Sequence, residues 1–103
     1  MTVVVTAVFT PAAGSRDRLV EALQEAIPAV HEESGCLLYA IHDAEDGSIV
    51  MIEKWASDSD LAAHAEGPAV GRLNTLIDGL IANPVVVTTM TPLPAGTAGQ
   101  GAL

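Results

Sequence analysis

The chain has 103 residues, half of them apolar and 17% charged, with thirteen acids against four bases for a formal net charge of −9. That length supports one core and one domain, and the shortage of Lys and Arg excludes a basic stripe for nucleic acid, anionic membrane or a heavily phosphorylated ligand. Cys36 stands alone, which excludes an intrachain disulfide and a thiolate set for zinc or an iron–sulfur cluster. A reducing, cytoplasmic setting fits that usage. Met1-Thr2-Val3-Val4-Val5 lacks the basic stretch of a signal peptide, and no apolar run approaches the roughly 20 residues that cross a bilayer.

Val3 to Phe9, rich in β-branched residues and stopped by Pro11 and Gly14, reads as a strand. Ser15 is placed to cap a helix in which Leu19, Leu23, Ala26, Ile27 and Val30 recur at helical spacing; the helix ends before Gly35, and Pro28 inside it predicts a kink. Cys36 to His42 and Ser48 to Trp55 read as two antiparallel strands around a turn at Asp46-Gly47. Ser57 or Asp58 caps a second helix that begins near Leu61, breaks or bends at Gly67-Pro68, and continues through Leu73, Leu76, Ile77 and Leu80. Pro84 to Met90 is the last strand. Strand, helix, strand, strand, helix, strand is the order of a ferredoxin-like α+β domain with a four-stranded antiparallel sheet, placed at residues 1–92, with a Gly-, Ala- and Pro-rich tail or arm over 93–103.

Val3-Val4-Val5 and Val85-Val86-Val87 are apolar at consecutive positions, so both faces of those strands favour burial, although Thr6, Thr88 and Thr89 soften one face. Two helices cover one face of such a sheet. With about 25 cal/mol per Å² favouring burial, a second copy packed sheet to sheet is the expected cover for the other.

Few residues are equipped for chemistry. His31, His42 and His64 sit on different elements with no metal-binding spacing, and there is no nucleotide loop or serine elbow. His64 lies just before the Gly67-Pro68 break, and histidine is the residue type suited to take a proton from a phenolic hydroxyl, although a helix histidine is often a surface residue. Ile49, Met51, Glu53 and Trp55 share one face of their strand by alternation. Glu53 among apolar neighbours must be paired, hydrogen-bonded or protonated, by an Arg at a strand end or within a site. Trp55 packs as core or interface, or stacks on a flat ligand; Tyr39 either donates into a pocket or faces solvent. Cys36 reads as a small buried hydrophobe.

Glu33-Ser34-Gly35-Cys36-Leu37-Leu38-Tyr39, Ile49-Val50-Met51-Ile52-Glu53-Lys54-Trp55 and Leu61-Ala62-Ala63-His64 together resemble the antibiotic-biosynthesis monooxygenase family, most of all its bacterial quinol monooxygenases. The resemblance implies a homodimeric α+β barrel with one pocket per subunit. It further implies oxidation of a quinol-like or polyphenolic aromatic by molecular oxygen with no metal or organic cofactor. By the same resemblance His64 is the catalytic proton acceptor or substrate anchor, with Glu53 and Trp55 shaping the site; Tyr39 and Met51 complete the expected substrate-binding set. Gly67-Pro68-Ala69-Val70 departs from the proline-histidine pair and aromatic common among relatives. The haem-degrading branch is not implied, because His64 and Asn74 replace its tryptophan and iron-binding histidine. Met51 stands where polyketide-oxidising relatives use asparagine. Two other readings remain open: an isomerase of a small phosphorylated metabolite, and a non-catalytic module that binds a small ligand.

Overall fold

The computed structural model describes all residues, 1–103. Its elements run β1 (Val3–Phe9), α1 (Arg16–His31), β2 (Cys36–Asp43), β3 (Ile49–Trp55), α2 (Asp58–Glu66), α3 (Pro68–Ile77) and β4 (Val86–Met90). The strands form one antiparallel sheet in the order β2-β3-β1-β4, so the ferredoxin-like topology is present, with its second helical segment split in two. No helix is long and apolar enough to cross a membrane.

Alternation sets the layers. Val3, Val5, Ala7 and Phe9 of β1 and Ile49, Met51, Glu53 and Trp55 of β3 are buried, while the residues between them are half-buried. The buried side meets Leu19, Leu23, Ala26 and Val30 of α1 and Leu73 and Ile77 of α3 in one core. The opposite side carries Val4, Val8, Val50 and Ile52, and continues on β4, where Val86 is 62% exposed.

Local chemistry adjusts several sequence expectations. Helix α1 continues as one helix through Pro28, and Ser15 occupies its N-cap position without a side-chain capping bond. Helix α2 starts at Asp58, three residues before Leu61, because the Ser57 hydroxyl accepts the Asp60 N–H and satisfies one of the first-turn donors. Gly67 ends α2 and begins α3, with Pro68 in the first turn of α3, where its missing N–H is harmless. Strand β4 begins at Val86 rather than Pro84; Val86 pairs with Val8, the last β1 residue in that ladder, and a proline has no N–H to extend it. Residues 91–103 contain no helix or strand, and Leu93 there is 88% exposed.

Leu23 is fully enclosed, so Leu23→Ala is expected to remove about 2–5 kcal/mol of stability. Leu93→Ala should stay within about 0.5 kcal/mol of the parent. Urea unfolding of the two variants checks the contrast.

Candidate functional site

Between the helix-covered side of the sheet and helices α2 and α3 lies a cavity of about 400 Å³, a size typical of small-molecule sites. Its floor is apolar, from Val5 and Ala7 of β1 and Val87 of β4, and its roof includes Leu61 and Leu73. Polar groups enter from Tyr39, Glu53, His64, Asn74 and Thr89, and no Lys or Arg lines it. Val87 is 61% exposed, so the cavity opens along the β4 edge.

His64 lies in the last turn of α2, later in that helix than its assumed start near Leu61 places it, and is only 6% exposed. Its Nδ1 stands 2.6 Å from Oε1 of Glu33. An ionised carboxylate only accepts, so the Nδ1–H donates to it, and in the neutral imidazole Nε2 then keeps its lone pair. Nε2 has no partner within the protein, and His64 lines the cavity.

Two glycines allow this contact between residues 31 positions apart. Gly35 has φ +79°, and a Cβ there would overlap the Asp60 carboxylate, so the loop after α1 closes tightly on the first turn of α2. The Ala56 N–H donates to the Gly35 carbonyl at 2.8 Å and locks the same junction to the end of β3. Gly67 has an ordinary φ of −82°; the constraint there is space, because a Cβ would stand 3.0 Å from Oε2 of Glu33.

The rest of the site is built on aromatic packing. Trp55 stacks against the His64 ring at 4.5 Å between centroids with a 31° tilt, and Tyr39 meets both rings edge-on. The Trp55 indole Nε1–H donates to Oε1 of Glu53 at 2.9 Å, which resolves the question of the buried carboxylate: its partner is the indole, two residues along the same strand face, and no arginine. Burial pushes the Glu53 carboxyl above its ordinary range, partly offset by the Trp55 hydrogen bond and by His64. Burial, then the charges of Glu53 and Glu33, push the Tyr39 hydroxyl well upward, so it remains a neutral donor. Burial and Glu33 likewise raise the Cys36 thiol, which is half-buried.

The structure therefore brings His64, Glu53 and Tyr39 to one cavity and separates two other sequence candidates from it. Met51 is fully enclosed in the core and does not line the cavity. Trp55 is also fully enclosed; its face is occupied by His64, so it supports the imidazole instead of stacking on a ligand. Glu33 had no assigned role in the sequence reading, since no spacing rule links a residue after α1 to one in α2. No three His, Cys, Asp or Glu residues cluster in a way that would hold a metal ion.

Residues 2–75 match the family profile described as antibiotic biosynthesis monooxygenase, a span that contains Glu33, Tyr39, Glu53, Trp55, His64 and Asn74 and stops before β4. The chain belongs to the antibiotic biosynthesis monooxygenase family. It is 30% identical over 97 residues to a Mycobacterium tuberculosis protein named "Putative monooxygenase Rv0793", covering 93% of this chain and 96% of that one. The solved structure of Rv0793 superposes with a TM-score of 0.84 at 28% identity, over 94% of this chain and 100% of the other. PA3566 from Pseudomonas aeruginosa gives 0.79 at 26% identity over 89% and 94%.

In this family member the raised Glu53 carboxyl links the site to stability. A folded-state pKa above the unfolded one favours folding at low pH, and that contribution is lost as pH rises through the folded value. Glu53→Gln removes the effect while keeping an oxygen for the Trp55 indole. The variant is therefore expected to gain stability relative to the parent as pH rises above the ordinary carboxylate range, read as the difference in urea midpoints.

Proposed function

We propose that this protein oxidises a quinol-like or polyphenolic small molecule with molecular oxygen, with His64 as the proton acceptor. The observation that carries the reading is the free Nε2 of His64, held towards an apolar cavity by the Glu33 contact behind it. Taking a proton from an aromatic hydroxyl leaves an electron-rich anion able to reduce oxygen. In the overall reaction a hydroquinone and O₂ give a hydroxyquinone and water, so the substrate supplies both electrons for the second oxygen atom. The protein's part is to bind, orient and deprotonate, and the apolar walls reduce competition from bulk water.

The absence of Lys and Arg from the lining disfavours the phosphorylated substrate that an isomerase reading requires. A binding module without turnover is the remaining alternative, and oxygen consumption decides it. With a panel of hydroquinones and anthrones, the parent should consume oxygen, His64→Ala should lose about 10²–10⁴-fold of the rate, and Glu33→Ala should lose part of that. Ligand binding without oxygen uptake would leave the module reading in place.

We also propose that two copies pack through the sheet side opposite the helices, where Val4, Val8, Val50 and Ile52 adjoin the exposed Val86. Leaving that apolar surface wet is unfavourable at about 25 cal/mol per Å². Sedimentation should give twice the chain mass for the parent and the chain mass for Ile52→Lys, whose charge an apolar interface would not accommodate. A monomeric parent refutes the arrangement.

A further inference from the structure

Three side chains that line the cavity are more than nine-tenths buried and each has a polar atom with no protein partner. Glu53 is 6% exposed, His64 6% and Tyr39 4%. Glu53 gives Oε1 to the Trp55 indole, which leaves Oε2; Glu33 takes Nδ1 of His64, which leaves Nε2; the Tyr39 hydroxyl has no bond at all. No polar side-chain atom in the chain is both sealed from open space and unpaired. These three atoms therefore reach open space; the cavity is the one hollow that Glu53 and His64 line, and Tyr39 lines it as well as a second one beside Cys36.

We propose that Glu53 is the specificity-determining residue of this cavity, selecting non-anionic arenes that carry two hydroxyl groups and turning anionic ones away. The inference rests on the cavity being the substrate site proposed above. Oε2 of Glu53 and Nε2 of His64 both accept, so a ligand that satisfies both must bring two donors, and two aromatic hydroxyls do so. The Tyr39 hydroxyl serves an acceptor on the same ligand. An added carboxylate or phosphate brings only acceptors, in a cavity whose walls carry the Glu53 carboxylate and no Lys or Arg, with Glu33 behind the imidazole. It would lose water without gaining a countercharge.

Glu53 is suited to this role by its position. It stands opposite Tyr39 in the β2–β3 ladder, on a central strand, and the indole fixes its carboxylate plane before any ligand arrives. The second acceptor is fixed independently, by Glu33. A flat ligand thus meets two preset acceptors rather than mobile side chains that must be ordered on binding.

Calorimetry on the full chain under argon tests the selection with three probes of one shape: 1,4-dihydroxynaphthalene, 4-methoxy-1-naphthol and 1,4-dihydroxy-2-naphthoate. The parent should bind the diol about tenfold more tightly than the methyl ether and at least about tenfold more tightly than the carboxylated diol. Glu53→Gln places an amide donor where Oε2 stood, so the diol should weaken about tenfold and the carboxylated probe should gain. If that variant does not fold, the ranking by the parent alone decides. Equal or tighter binding of the carboxylated diol by the parent, an unchanged ranking in folded Glu53→Gln, or no binding of any probe overturns the proposal. Admitting air separates the two readings. The predicted ranking without oxygen uptake leaves the selection intact and removes the oxidation, whereas oxidation of both diols with equal affinity does the reverse.

Discussion

The contact between Glu33 and His64 is the interaction on which the site depends. It ties the loop after α1 to the last turn of α2, two segments that neither the sheet ladder nor a helix holds together. Without it the imidazole would keep its packing against Trp55 but lose the charge that orients its proton. A carboxylate at 2.6 Å from Nδ1 orients the ring and holds the proton on that nitrogen, which leaves Nε2 as the acceptor of the neutral imidazole. The glycines at 35 and 67 belong to the same device: one turns the loop with a positive φ, and the other leaves the volume that the Glu33 carboxylate occupies.

The second constraint is electrostatic and comes from what surrounds the cavity. The chain's cations are engaged elsewhere or lie outside it: Arg16 pairs with Asp43 at 2.8 Å, and Arg72 with Glu25 at 3.1 Å, both at the surface. The cavity is left with apolar walls, the Glu53 carboxylate, the His64 imidazole backed by Glu33, and the neutral polar groups of Tyr39, Asn74 and Thr89. An acidic composition that by itself speaks only to solubility and poor affinity for polyanions acquires a local meaning, because a buried carboxylate acts on a ligand through a medium that screens it weakly.

Trp55 shows how a residue's role moves once its neighbours are known. A lone tryptophan at the end of its strand and on the same strand face as a glutamate invites a stacking role with a ligand. In the fold it has both its ring face and its N–H committed, the first to His64 and the second to Glu53. It is the shared support of those two residues and sets one against the other.

The order of elements was readable from local pattern alone, since short β-branched and apolar runs bounded by turn residues in Val3–Phe9 and Ile49–Trp55 mark strands and a helical repeat from Leu19 to Val30 marks a helix. The family resemblance in the segments around Gly35, Glu53 and His64 was readable for the same reason: it consists of residues near one another along the chain. Boundaries were less legible, because the start of α2 depends on a single hydroxyl and the start of β4 on where β1 stops pairing. Alternation placed Met51 and Glu53 on one strand face, yet one is sealed in the core and the other opens to the cavity, since helices cross a sheet obliquely and cover its length unequally. The partnership of Glu33 with His64 was decided only by the tertiary structure. Sequence patterns record how each segment divides between water and core, whereas a hydrogen bond across 31 residues depends on how those segments are finally packed against one another.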